Sequence, residues 1–228
     1  LSMYRYFIQP QLNTYNNGLI GYELLLKQYN GEFWRVPASF NDLPASVIAD
    51  TLVETAKKLS LKIGSVSVNV NREQILDAKL MASLIIAQGI LRPVRLVVEL
   101  IEEPVDKPVS MAQLVEVATQ LTDLGIEFSL DDVGTGENTW PNIEPLIPFA
   151  SELKYALQNR HEHLTSESAE EHVKFWQDIA AKHSQRFILE GVEDDDDDFW
   201  ANQMKIDLRQ GYYYGKPHLL KLHDDDPD

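Results

Sequence analysis

The chain contains no cysteine, which removes disulfides, thiolate metal sites and thiol nucleophiles together. No apolar run approaches the roughly 20 residues needed to span a bilayer. The opening, LSMYRYFIQP, lacks the apolar core and small-residue cleavage site of a secretory signal. Basic residues are also scarce: 20 Lys and Arg stand against 36 Asp and Glu in 228 residues, a formal net charge of −16. Binding to polymeric nucleic acid relies on Lys and Arg neutralising phosphates, so that class of partner is disfavoured. No Gly/Ser-rich linker divides the chain, and no internal repeat is visible. These absences predict a soluble, cytoplasmic protein with one domain over residues 3–220 and an acidic tail over 221–228. An acidic chain can still take a phosphorylated ligand where carboxylates hold a divalent cation and the cation holds the phosphate.

What is present alternates. YRYFIQPQL and LIGYELLLK read as strands, and the NTYNNG between them suits a hairpin turn because Asn and Gly tolerate positive φ. Ala45, Ile48, Leu52, Ala56 and Leu59 recur at helical spacing after Pro44, a residue suited to a first turn. In SVSVNVN, Val66, Val68 and Val70 share one strand face and Ser67, Asn69 and Asn71 the other. REQILDAKLMASLIIAQG reads as one helix ending at Gly89. VRLVVELIEE is nearly continuously apolar before its glutamates, as buried parallel strands are. Helix, strand, helix and strand follow to LRQGYYYGKP. The alternation predicts an α/β fold with a mainly parallel sheet, and at this length a closed barrel rather than an open sheet.

Polar residues recur at one place, the C-terminal part of each predicted strand: Glu23, Asn69, Glu99, Asp131 with Asp132, Lys154 and Glu190. In a parallel barrel those ends converge on one face, where active sites are built. Hard oxygen donors without thiols suit Mg²⁺ or Mn²⁺, and divalent cations would relieve the repulsion of adjacent carboxylates such as Asp131 and Asp132. Taken singly each is more often an ordinary polar strand end; the joint phase reverses that. The run Asp194 to Asp198 reads as solvated charge at a helix start, and the terminal HDDDPD as a solvated tail. His161 and His163 read as exposed, Tyr212 to Tyr214 as packing at the barrel mouth, and Trp34, Trp140, Trp176 and Trp200 as packing.

YELLLK, SVNVN, VELIEE, SLDDVGTG, ELKYA, LEGVE and RQGYYYGKP occur in an order and spacing that resemble the EAL-domain cyclic di-GMP phosphodiesterases, from about Gln9 to Pro217. The resemblance implies a modified (β/α)8 TIM-like barrel with one antiparallel strand. It implies two divalent ions, Mg²⁺ or Mn²⁺, held by Glu23, Asn69, Glu99, Asp131, Asp132 and Glu190. Lys154, Glu190 and Gln210 stand at its water-orienting and water-activating positions, and Gln9, Lys27 and Pro217 at substrate-binding ones. Glu102, Gly134 and Gly136 support the Asp131–Asp132 loop. The implied activity is hydrolysis of cyclic di-GMP to the linear dinucleotide, with a homodimer or a regulatory protein as further partners.

Several positions depart from the family pattern. The Glu-Ala-Leu triplet reads Glu23-Leu24-Leu25, and the arginine that follows is Lys27, which lacks the two-pronged donor. Lys-Ile-Asp reads Lys154-Tyr155-Ala156. Val133 replaces an aromatic, Glu137 a tyrosine, Ile101 a threonine and Asn71 a serine. The alternative these departures leave open is an EAL-like module that binds a protein partner, or senses cyclic di-GMP without cutting it.

Overall fold

Strands with a period-2 pattern and helices with an apolar stripe alternate along the chain in the computed structural model, which describes residues 2–60, 62–158 and 166–228. His161 and His163 lie outside the described residues. The first two strands, β1 (Met3–Asn13) and β2 (Gly18–Tyr29), form the expected antiparallel hairpin, with Gln9 opposite Glu23. At its tip Asn17 takes φ 52°, and the Asn16 side chain accepts the Gly18 N–H at 2.8 Å. A two-residue strand β3 (Trp34–Arg35) adds to the outer edge of β2.

From there the ring is parallel. It runs through β4 (Ser65–Val70), β5 (Arg95–Leu100), β6 (Glu127–Leu130), β7 (Glu152–Ala156), β8 (Arg186–Glu190) and β9 (Leu208–Arg209). The ring closes where β9 pairs with β1, antiparallel, at Leu12–Arg209 and Asn13–Leu208. Eight strands thus form a closed barrel in which β1 is the reversed member, a modified TIM barrel. A short β10 (His218–Leu219) pairs with β1 at Phe7 and Ile8.

Helices α1 (Ala45–Leu59), α2 (Arg72–Ile75), α3 (Ala78–Leu91), α4 (Met111–Asp123), α5 (Trp140–Ile143), α6 (Ser166–Lys182) and α7 (Asp195–Gln203) follow the strands. The alternation within strands sorts the barrel into two shells. Val66, Val68, Val70, Leu96, Val98, Leu100, Leu153 and Leu189 join the helices in one apolar core, and their burial supplies the main driving force for closure. The opposite faces carry Ser67, Asn69, Glu99, Ser129 and Lys154. At the N-terminal strand ends, ionic contacts tie the ring. Arg186 pairs with Glu127 and with Glu152 at 2.9 Å, Arg95 pairs with Glu127 at 3.1 Å, and Ser129 donates to Glu152 at 3.0 Å. No helix among the described residues is long and apolar enough to cross a membrane.

Two local expectations are corrected. The stretch 72–89 is two helices, because Asp77 accepts the N–H groups of Lys79 and Leu80 and starts α3 afresh, while Gly89 lies within α3. A side-chain cap that satisfies orphan donors outcompetes continuation of the helix. The terminal aspartates are also not uniformly solvated. Asp224 and Asp225 are exposed, but Asp226 is 4% exposed and grips the Arg5 guanidinium through both carboxylate oxygens. The run 194–198 starts a helix as expected, Asp194 capping α7 by accepting the Asp197 N–H at 2.9 Å, but Asp198 is not solvated charge: it is half-buried and pairs with Arg209 at 2.8 Å.

Candidate active site

At the C-terminal ends of the parallel strands the predicted residues meet around one buried ammonium. Lys154, at the middle of β7, is fully buried, and its Nζ lies 2.7 Å from Glu190, 3.0 Å from Glu99 and 3.2 Å from Glu23. Register explains the convergence, since Asn69 pairs with Glu99 across β4 and β5, and Ala156 with Glu190 across β7 and β8. Asn69 donates to Glu23 at 2.7 Å, and Gln210 donates to Glu23 and, at 2.9 Å, to Gln9. Gln9 in turn donates to the Gly215 carbonyl at 3.2 Å.

The electrostatics follow from burial and from this packing of like charges. Burial pulls the Lys154 ammonium down, but Glu190, Glu23, Glu99 and Asp131 outweigh it and hold it well above the ordinary lysine range. Burial pushes Glu99 up to about 8, with Lys154 opposing and the neighbouring glutamates reinforcing the rise. Asp131 is raised well above the carboxylate range by burial and then by the charge of Glu190. Glu190 is raised by burial, with Lys154 opposing and Glu23 adding to the rise, while it accepts a hydrogen bond from Asp131. Glu23 goes the other way. Burial raises it, but Lys154 and the donors Asn69 and Gln210 more than reverse that.

Two oxygens in this cluster, Asn69 Oδ1 and Glu99 Oε1, are buried without a hydrogen-bond partner. Buried acceptors are seldom left so, because desolvation is then uncompensated. Amide and carboxylate oxygens beside Glu23, Asp131 and Glu190 make a hard donor set, which fits a divalent ion such as Mg²⁺ or Mn²⁺. Among the described residues, no three His, Asp or Glu side chains stand ready as a metal cage; Glu23, Glu99 and Glu190 are gathered on Lys154.

The segment after β6 carries Asp131 and Asp132 in a tight loop. Asp132 takes φ 46°, and its carbonyl accepts the Thr135 hydroxyl at 2.8 Å. Gly136 has φ 48°, and a Cβ there would meet the Glu102 carbonyl oxygen at 2.4 Å, so only glycine fits. Gly134, at φ 95°, lies against the rings of His172 and Trp176. Glu102 supports the loop through its backbone, its carbonyl accepting the Glu137 N–H at 2.8 Å. Its carboxyl is raised by burial and then by Asp132, Glu103 and Glu190.

The departures from the family pattern fall into place individually. Val133 is fully buried in the core, and its N–H donates to the Lys154 carbonyl at 2.9 Å. Asn71 caps α2 in a reciprocal box with Gln74. Ala156 is buried beside Glu190 and brings no carboxylate. Tyr155 is in hydrogen-bond contact with His172 Nδ1 at 2.8 Å. Lys27 lines a separate small cavity with Tyr6, Phe40 and Asn69, while Pro217 immediately precedes β10.

Above the cluster opens a cavity of about 510 Å³ bordered by Gln9, Glu23, Glu190, Glu193, Gln210 and Tyr212, large enough for a nucleotide-sized ligand. Sequence reasoning missed three contributors. Gln11, two residues from Gln9 on the same face of β1, donates to Gln210 Oε1 at 3.1 Å; the period-2 pattern was the available signal. Arg72 and Asn138 brace the aspartate loop from behind, and no local pattern announces them. Trp140 stacks edge-on against Phe175 and Trp176, in keeping with a packing role.

Among solved structures, the PaMucR phosphodiesterase in its c-di-GMP complex aligns with a TM-score of 0.76 at 23% identity, over 94% of this chain and 92% of that one. A standalone versatile EAL protein from Vibrio cholerae O395, in a c-di-GMP bound form, gives 0.78 at 20% identity over 95% and 92%. An EAL domain protein from Listeria monocytogenes EGD-e gives 0.75 at 21% identity over 94% and 88%. At these identities the likeness concerns the fold alone. No curated protein sequence matches the chain. The family profile described as EAL domain matches residues 4–217. That span takes in the strands of the closed ring, all but the first residue of β1, and every residue gathered around Lys154, and the chain belongs to the EAL domain family.

Proposed function

We propose that the protein hydrolyses cyclic di-GMP to the linear dinucleotide pGpG in a reaction dependent on two divalent ions, Mg²⁺ or Mn²⁺. The observation that carries the reading is the pair of buried, unpartnered oxygens, Asn69 Oδ1 and Glu99 Oε1, amid carboxylates on adjacent strand ends. Family membership and the cyclic dinucleotide bound by the PaMucR and Vibrio cholerae proteins point to the substrate. Glu23, Asn69, Glu99, Asp131, Asp132 and Glu190 are the residues to hold the ions. Bound there, divalent ions supply neutralisation of the phosphate and acidify an attacking water.

The chain's own groups have distinct tasks in this reading. Glu190, its carboxyl raised by burial, takes the proton of the attacking water as the new P–O bond forms and one ester P–O bond breaks. The leaving sugar oxygen collects a proton from solvent, and the ring opens to the linear product. Lys154 remains cationic and orients the attacking water beside Glu190. Gln210 orients Glu23 through its amide and is itself held by the Gln9 carbonyl oxygen.

One observation favours a second reading, binding without turnover: Ala156 brings no carboxylate to the site next to Glu190. Both are tested by incubating the protein with cyclic di-GMP in Mn²⁺ and in chelator, with the product separated by chromatography. Linear product in Mn²⁺, lost in chelator and in Glu23→Ala and Glu190→Gln, is expected. Saturable binding with no product in either condition transfers the assignment to a sensor, and neither binding nor product rejects both.

A further inference from the structure

Behind the Asp131–Asp132 loop sits a buried arginine that no strand-end pattern accounts for. Arg72 is the first residue of α2 and is 5% exposed. Its guanidinium fans across two segments. Nη1 donates to the Ile101 carbonyl at 2.9 Å, just past β5, and Nη2 donates to the Glu137 carbonyl at 3.1 Å and to Asn138 Oδ1 at 2.8 Å. Asn138 is fully buried and spends its amide donors on the Leu100 carbonyl at 2.9 Å and the Asp131 carbonyl at 2.6 Å. Its backbone completes the enclosure, accepting the Gly134 N–H at 2.9 Å and donating to the Thr135 carbonyl at 2.8 Å.

Two side chains therefore connect the element following Asn69, the strand end carrying Glu99 and the backbone of Asp131. Each of those neighbouring segments ends in an oxygen donor of the site, and their mutual spacing is what a divalent ion reads. We infer that Arg72, acting through Asn138, is a positioning residue that fixes the Asp131–Asp132 loop against the ends of β4 and β5. The inference rests on the metal-dependent reading above for its purpose, and on the hydrogen bonds alone for its structural content. A rigid fork is needed for it. The three acceptors lie in different directions, and a guanidinium reaches them together where an ammonium on a flexible stem does not. Glu137 fits the same device: its backbone is held at both ends, by Glu102 and by Arg72.

The test compares the protein with Arg72→Met, Arg72→Lys and Asn138→Ser. Hydrogen exchange of the 131–138 amides is expected to speed up about tenfold in Arg72→Met while the barrel strands keep their protection. Mn²⁺ affinity, read from the electron paramagnetic resonance of the free ion, is expected to fall about 10–100-fold. Arg72→Lys, which keeps charge and loses the fork, should behave like Arg72→Met. In protein that turns over cyclic di-GMP the loss should fall on kcat rather than KM. Unaltered loop exchange in Arg72→Met, or wild-type behaviour in Arg72→Lys, overturns the inference. If Arg72→Met does not fold, Asn138→Ser, which gives up the bridging amide, is read by the same exchange criterion. Parent protein that hydrolyses nothing rejects the activity, while the exchange result still decides for or against the tether.

Discussion

Lys154 shows how one residue can decide the character of a site. A lysine with no accessible surface is costly unless its charge is met, and here Glu23, Glu99 and Glu190 meet it at 3.2, 3.0 and 2.7 Å. Removing the ammonium leaves those carboxylates facing one another in a desolvated interior. Lys154→Met is accordingly expected to cost about 3–5 kcal/mol at pH 8, measured by urea denaturation in chelator. The pH dependence has a definite sign. Glu99, with its folded-state pKa at about 8, holds a proton more tightly folded than unfolded. Its contribution to stability is complete below the ordinary carboxylate range and disappears as pH rises through about 8. Asp131 and Glu190 shift in the same direction; Glu23 shifts oppositely. The cost of Lys154→Met should therefore shrink at pH 5, where the raised carboxyls take up protons. An equal cost at both pH values would count against coupled carboxylates as the cause. Much of this cluster was legible in the sequence, because Asn69, Glu99 and Glu190 lie at strand ends and strand ends of a parallel barrel share one face, whereas Lys154 and Glu23 sit mid-strand. The partner of each carboxylate was not legible, since whether Lys154 points at solvent or at Glu99 is decided by packing.

At the scale of elements, two glycines separate conformational need from habit. Gly136 sits at φ 48° with the Glu102 carbonyl where a Cβ would go. Gly136→Ala is expected to cost about 1–3 kcal/mol through strain and to weaken the Glu137–Glu102 hydrogen bond. Gly89, within α3, has open space around the position of a Cβ, so Gly89→Ala should gain about 0.5–1 kcal/mol. Thermal unfolding of the two variants should move in opposite directions, and a shared sign would refute the account. The helix itself shows where sequence reading fails. Apolar periodicity read as one helix from residue 72 to Gly89, and nothing in it marked the break. The break comes from Asp77, whose carboxylate takes two backbone donors, a local competition that periodicity cannot register. The loop tether is illegible for a different reason: Arg72 and Asn138 are 66 positions apart and meet only because β4, β5 and β6 lie side by side.

For the molecule as a whole, the two ends of the chain are tied together by residues read at first as a solvated tail. Asp226 holds Arg5 with bonds of 2.6 and 2.5 Å, accepts the Leu222 and His223 N–H groups, and brings Pro227 against Trp34. Acidic composition predicted solvation, and it failed because the complementary Arg5 lies 221 positions away. The Arg5 bonds, with burial opposing, hold the Asp226 carboxyl down at about 2. A lowered carboxyl stabilises the fold above its unfolded value and loses that contribution as pH falls toward about 2. Asp226→Asn should cost about 1–3 kcal/mol near neutrality and expose residues 220–228 to limited proteolysis. Acidification to about pH 2, where the folded carboxyl takes up its proton, should release the same segment in the parent protein. Resistance of the segment under both conditions would mean that β10, not Asp226, secures it.

The reversed strand β1 has a consequence in time. It pairs with β2 a few residues downstream and with β9 nearly two hundred residues later, and contacts of such separation form slowly because a long loop must be closed first. Glu23 emerges early and waits for Gln210, its partner 187 positions on. A chain that stops short of β9 lacks both Gln210 and the strand that closes the ring on β1, so the face around Lys154 is the last part of the molecule to be completed.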